Sequence, residues 1–293
     1  MSFRIVIPSQ RHDRGYSVHA TVLIAAVILI GLGVASFVQA QEGQEGQESH
    51  ESQEKAVKRS PWMVDLGVAV LANPTFQGSA NYDVGPVPYF DVRYFDKKGV
   101  KFFANIPRGF GAYLHRAGGD DGPQSGIFVS LAPGFSNRDT GIEGLRTFGL
   151  AAEARIGWEV TTKSLVFVAS ASQALGTGHG GFYVDASAAW RKGFGRGSFF
   201  SIGPTVRFGD TTYLDNLYGI NEDEALRSGL SAQDTSAGLE SVGVQGVLSL
   251  PLGGRWRWTN VFRFSELAAD PRNSPIVEST SQVFFMSALS RVF

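Results

Sequence analysis

The sequence predicts an all-β chain, a transmembrane antiparallel β-barrel of about twelve strands, with ten to fourteen also fitting the pattern. Three observations predict it. An apolar run near the front ends in small residues, as an export signal does. From Trp62 onward apolar and polar residues alternate with period two, and after residue 40 no stretch approaches the length of an apolar membrane helix. Short and long connections then alternate between the strands, which is how a barrel with one tight rim and one loop-rich rim reads.

The front carries Arg4, Arg11 and Arg14 and then an apolar run from about Ala20 to Val38. Val38-Gln39-Ala40 closes it as a cleavage site, so residues 1–40 read as a signal peptide; a retained membrane anchor is the alternative. Residues 41–60 follow as a polar lead that opens Gln-Glu-Gly-Gln-Glu-Gly and buries almost nothing apolar, which predicts a disordered periplasmic segment. Residues 61–293 are then the barrel.

Composition agrees. Glycine (36) and phenylalanine (22) are abundant while mean hydropathy stays near zero, as expected when only every second strand residue is apolar. The formal charge of −1 points to no nucleic-acid partner, and the absence of cysteine removes disulfide and thiol chemistry.

The predicted strands are 62–72, 86–95, 99–105, 109–115, 125–135, 146–160, 163–172, 181–191, 197–208, 238–250, 254–265 and 280–293. Val64, Leu66, Val68 and Val70 share one face of the first, opposite Asp65, Gly67 and Ala69. Phe148, Leu150, Ala152, Ala154, Ile156, Trp158 and Val160 do the same in 146–160. The tight connections, such as Thr161-Thr162 and Pro251 to Gly253, belong on the periplasmic rim, and the long ones (73–85, 136–145, 173–180, 209–237, 266–279) on the other. The hairpin 99–115, joined only by Ile106 to Arg108, is the least distinct. Trp62, Trp158, Trp190, Trp256 and Trp258 fall near strand ends, where an interfacial girdle forms. The chain ends Ser290-Arg291-Val292-Phe293. A terminal Phe293 on an amphipathic strand resembles the signal read by the barrel-assembly machinery, although Arg291 stands where that signal is usually apolar. Membrane lipids and lipopolysaccharide are the surroundings such a barrel meets.

Charges fall on the polar faces: Asp65, Asp91, Arg93, Glu153, Arg155, Glu159, Asp185, Arg191, Arg207, Arg257 and Arg263. Inside a barrel they must pair or meet water. Twelve strands allow a narrow channel without requiring one. For catalysis, His50, His115 and His179 are the histidines beyond the signal, and none stands in a recognisable serine-hydrolase arrangement; a lipid hydrolase is thus the least favoured reading. No metal-ligand spacing and no cofactor motif is legible, and Asp120-Asp121 and Glu222, Asp223 and Glu224 read as solvated loop charge.

Three segments resemble the MipA/OmpV family, the MltA-interacting outer-membrane proteins. The first is Phe76-Gln77-Gly78-Ser79 with Asn81-Tyr82 and Pro86-Val87-Pro88-Tyr89. The second runs Tyr218-Gly219-Ile220-Asn221-Glu222-Asp223-Glu224-Ala225, then Arg227-Ser228-Gly229-Leu230. The third is Asp270-Pro271-Arg272-Asn273-Ser274-Pro275-Ile276-Val277. Pro271 and Phe76 depart from the commoner Ala and Tyr. The resemblance implies a non-enzymatic barrel that scaffolds murein remodelling, bringing a lytic murein transglycosylase together with a penicillin-binding murein synthase. A narrow passive channel is the alternative that the inward charges imply. All three segments lie on the predicted outward rim, whereas murein enzymes approach from the periplasm; the segments would then plug the barrel or serve folding.

Overall fold

The computed structural model describes residues 3–5 and 60–293, apart from 98, 107, 119–121 and 196. The cleavage site and the polar lead lie outside the described residues. A three-residue strand, β1 (Phe3–Ile5), pairs with the start of β3. The barrel consists of β2 (Trp62–Pro74), β3 (Tyr82–Asp96), β4 (Gly99–Asn105), β5 (Gly109–Ala117), β6 (Gln124–Pro133), β7 (Ala152–Thr161), β8 (Leu165–Ala174), β9 (Phe182–Gly195), β10 (Ser198–Gly209), β11 (Gly238–Gly253), β12 (Trp256–Leu267) and β13 (Ser281–Val292). Each pairs antiparallel with its sequence neighbour, and β13 pairs with β2, so the twelve close into a ring. Closure leaves a spanning sheet without end strands, the condition for stability in lipid.

The alternation is inside-out. On β2 Val68 is 65% exposed and Leu66 and Val70 are similar, while Asp65 is fully buried in the interior. A soluble sandwich would reverse that assignment. The five tryptophans lie close to the short-turn rim on the outer face, four of them about half exposed and Trp258 less so. Trp258 donates its indole N–H to Ser287 (2.9 Å) and Trp158 to Ser125 (2.9 Å). Phe293 extends past β13, its N–H donating to the Val64 carbonyl (2.9 Å), and the Arg291 guanidinium lies 5.6 Å from the Phe293 ring centroid. At the rim a long cationic side chain can carry its charge to the interface, which accommodates Arg291 at an outward position.

One strand starts later than its pattern suggests. The run expected over 146–160 becomes strand only at Ala152. Arg146 to Ala151 instead belong to the β6–β7 loop, where Phe148 makes a single bridge to Arg138 and packs beside Tyr183, Tyr213 and Leu217. Alternation there serves loop packing, not wall building. Conversely, β3 begins at Tyr82, ahead of the expected 86. No helix among the described residues is long and apolar enough to cross a membrane.

Candidate functional site: a loop cap on the barrel

Three short helices stand on the long-loop rim: α1 (Thr211–Tyr218), α2 (Glu222–Ser228) and α3 (Ala269–Asn273). Asp210 caps α1, its carboxylate accepting from the Tyr213 N–H (2.6 Å). Asn221 and Glu224 form a reciprocal capping box on α2, and Gly229 ends it at φ +73°, the left-handed conformation that glycine adopts without Cβ strain. Gly219 is needed for a different reason: a Cβ there would sit 2.0 Å from Asp215 Oδ1.

The three family-like segments converge on this rim. Ser274 Oγ donates to the Tyr218 carbonyl (2.5 Å). Pro275 is exposed at the corner of a turn closed by the Val277 N–H on the Ser274 carbonyl (3.0 Å), with proline at the position such turns favour. The turn directs Ile276 into a cluster with Leu145 and Ile220, which Ala225 and Leu230 flank. Asp270 accepts the Ser236 N–H on its carboxylate (3.0 Å), and Ser228 Oγ donates to the Glu224 carbonyl (2.7 Å). Gly78, at φ +97°, passes so close to Val277 that a Cβ would lie 2.7 Å from its Cγ2. Its carbonyl accepts from the N–H groups of Glu278 and Ser279, and buried Ser79 donates to the Glu278 carboxylate (3.3 Å).

Arg138 ties the cap together. It is fully buried, and Nη1 donates to the carbonyl of Asn216 (2.9 Å) at the C-terminal end of α1, where cations are favoured. Its Nη2 lies 3.6 Å from Glu224 Oε1, and Arg146 joins the pair through Nε (3.1 Å). Burial pulls the Arg138 guanidinium down to about 10, with Glu224 opposing. Burial likewise disfavours ionised Glu224, but the backbone N–H groups of Arg146 and Asn221 and the two guanidinium charges hold its carboxyl below the usual value.

The cap reaches into the lumen. Tyr213 on α1 accepts from Arg207 Nη1 (3.1 Å) and donates to Glu240, and Tyr218 donates to the same carboxylate (2.7 Å). Glu240 is the extra residue of a bulge: Arg207 pairs with Ser241 and Phe208 with Leu239, which leaves Glu240 free to turn beneath α1. Around these tyrosines the lumen charges are paired. Arg207 holds Asp185 through Nε (2.8 Å) and Nη2 (3.0 Å). Glu153 accepts from Tyr183 (2.6 Å), Arg155 (3.2 Å) and His179 Nε2 (3.3 Å). Arg263 donates to Gln245 (3.1 Å).

Nearer the short-turn rim, Arg257 pairs with Asp65 (2.8 Å) and Arg93 with Asp91. Glu159 accepts from Arg108 and Tyr113, and Arg108 lies over the Phe128 ring (4.8 Å). Arg191 stacks on Phe199 (4.4 Å). The arrangement sets paired charge and aromatic rings at several levels of the lumen.

Residues named for chemistry fare differently. His179 is buried against Glu153 and Tyr213, and its Nδ1 has no partner. Two serines join the same cluster, Ser136 through Tyr213 (3.3 Å) and Ser172 through Arg155 (2.9 Å). His115 is exposed on β5, and His50 and Asp120-Asp121 lie outside the described residues. Glu224 is spent on the cap, and no acidic or histidine cluster among the described residues has metal-ligand geometry. Arg138, Arg146 and Glu240 are missed by sequence reasoning. Arg138 sits in a loop without periodicity, Arg146 opens a run whose alternation reads as strand, and Glu240 is placed by a bulge that leaves no local signal.

A comparison with curated proteins finds no match. The family model described as "MltA-interacting protein MipA" matches residues 66–293, from the fifth residue of β2 through the closing strand, and the chain belongs to that family.

Proposed function

We propose that this protein is a non-enzymatic outer-membrane scaffold that brings a lytic murein transglycosylase and a murein synthase together during peptidoglycan remodelling. The observation that carries the reading is the MltA-interacting family match across the whole barrel. The cap supports it by accounting for the family-like segments: they lock the long-loop rim and are not a docking surface. The partner surface is then the short-turn rim, which faces the periplasm in barrels of this kind. Exposed Phe95, Leu165, Phe194 and Leu252 stand there.

The paired lumen and the seated α1 favour a closed barrel over the passive channel. Co-purification from envelope extracts tests the scaffold. Capture of a lytic transglycosylase, lost in Phe194→Ser/Leu252→Ser and kept in cap variants, supports it. Capture that is unaffected by the rim variants, or no murein enzyme at all, sinks it.

A further inference from the structure

We propose that the barrel wall contains a lateral window, beside β3 and above the β4–β5 hairpin, through which the acyl chain of a bilayer phospholipid enters the lumen. The inference rests on the reading that the barrel lies in a membrane.

The window follows from unequal strand lengths. β3 pairs with β2 from Tyr82 to Tyr94, but with β4 only from Asp91 to Asp96. β1, which belongs to the segment read as a signal peptide, covers Tyr82 to Val84; without it the free edge lengthens to Tyr82. Between them the second edge of β3, Gly85 to Phe90, has no partner strand among the described residues. The β4–β5 hairpin turns at Ile106 to Arg108, and Asn105, its last rung on β3, is level with Asp91. Across the gap stand Gly109 and Phe110 of β5 and the end of β6, where Phe110 pairs with Leu131. Above, Gln77 closes the frame with bonds to the carbonyls of Phe135 (3.3 Å) and Asn137 (3.4 Å).

An unpaired strand edge in lipid is costly, because each orphaned N–H loses its partner. This edge is built to reduce that cost. The Phe95 N–H points to the β2 side, donating to Pro61 (2.7 Å), so by alternation residues 86 and 88 direct their nitrogens into the gap. Both are proline and carry no N–H, and proline in a sheet belongs on such a free edge. The same prolines disfavour addition of another strand. Of the donors on this stretch of edge the prolines leave the Phe90 N–H, beside the carbonyls of residues 86, 88 and 90.

Both sides of the opening are apolar. Inside, Val87, Leu71, Ile106, Val261 and Phe284 surround Tyr89 and Met286, and a Cβ on Gly85 would meet nothing within 4 Å. Outside, the Phe90 and Phe110 rings stack at 5.9 Å at the foot of the window. From there an open groove of about 720 Å³ runs over small residues Ala112, Ala154 and Ala171 to Phe182. The one charged residue along it, Arg155, is turned inward to Glu153 and Ser172. A multiply phosphorylated glycolipid head would find no cation there, which favours a phospholipid chain.

The chain has no cysteine, so single-cysteine labelling is direct. Val87→Cys (inside, at the window), Val261→Cys (inside, in fully paired wall) and Val244→Cys (outer face) are labelled with a nitrobenzoxadiazole dye. Each full-length protein, checked by heat-modifiable mobility, is placed in phosphatidylcholine vesicles containing acyl-chain nitroxide phosphatidylcholine. Quenching at Val87 of at least about half that at Val244, with Val261 a small fraction of it, is expected if acyl chains pass the wall. Quenching at Val87 no greater than at Val261 overturns the window. Loss of the Val87 quenching on adding lipopolysaccharide overturns the choice of phospholipid. An unquenched Val244 sinks the membrane reading itself and the window with it. Gly85→Cys, where open space avoids any clash, replaces Val87→Cys should that variant fail to fold.

Discussion

Arg138→Met is the sharpest test of the cap, because it removes one charge and leaves the shape. The guanidinium is fully buried, donates to the Asn216 carbonyl at 2.9 Å and lies 3.6 Å from Glu224. Removing one partner of a buried pair costs about 3–5 kcal/mol. The lower end applies here, because Arg146 also reaches Glu224 (3.1 Å) and Arg138 Nε and Nη2 have no hydrogen-bond acceptor. A loss of about 3 kcal/mol raises local opening roughly a hundredfold. The loss is local, since the cap hangs on a wall whose strand pairs do not involve Arg138. Hydrogen exchange of the barrel in vesicles reads it at Leu214 and Ala225, whose N–H groups bond to Asp210 and Asn221. Faster exchange in α1 and α2, with the strands unchanged, is the expected result. The double variant with Glu224→Gln should cost less than the sum of the singles, because the two share one interaction. Less than a tenfold change in α1 and α2 exchange for Arg138→Met refutes the claim that this pair holds the cap.

Three further outcomes follow from the same geometry. Glu224 titrates below its usual 4.5 in the folded cap, so its contribution is fully present above that value and is lost as pH falls through the lower folded value; exchange in α2 should accelerate only there. Gly78→Ala places a Cβ at φ +97° and 2.7 Å from Val277, a strain of about 1–3 kcal/mol, and should lower the thermal midpoint of the heat-modifiable band. The refolded barrel should be electrically silent in planar bilayers, while deletion of 211–230 together with Arg207→Met, which also strands the buried Asp185 carboxylate, should produce steady conductance; conductance in the unaltered protein would revive the channel reading.

The wall was legible in the sequence because its signal is local. Val64 to Val70 on β2 alternate without interruption, and Trp256 to Phe264 on β12 do so apart from Asn260 and Val261. Where alternation misled, at Phe148 and Leu150, the residues alternate but Phe148 meets the tyrosines of α1 across a long loop, and period alone cannot separate those fates. The short β4–β5 hairpin was the least distinct pair in the sequence, and it is this shortness that opens the wall beside Gly85 to Phe90.

The cap was half legible. Its glycines, prolines and helix-capping residues stand out as turn chemistry: Gly229 at positive φ, Asn221 and Glu224 in a capping box, Pro275 in its turn. Its binding agents did not stand out. Arg138 meets Glu224 across 86 positions of chain, and Glu240 turns inward only because one residue is unpaired between β10 and β11. Long-range pairs and bulges leave no periodic trace. The outward position of the family-like segments seemed at odds with a periplasmic partner as long as they were taken for a recognition surface. Once Ser274 is bonded to Tyr218, Gly78 is against Val277 and Tyr218 is on Glu240, those residues are committed to closing one rim. On the proposed scaffold reading, the opposite rim, with its tight turns and exposed Phe194 and Leu252, carries the partner contacts, which can vary there without disturbing the closure.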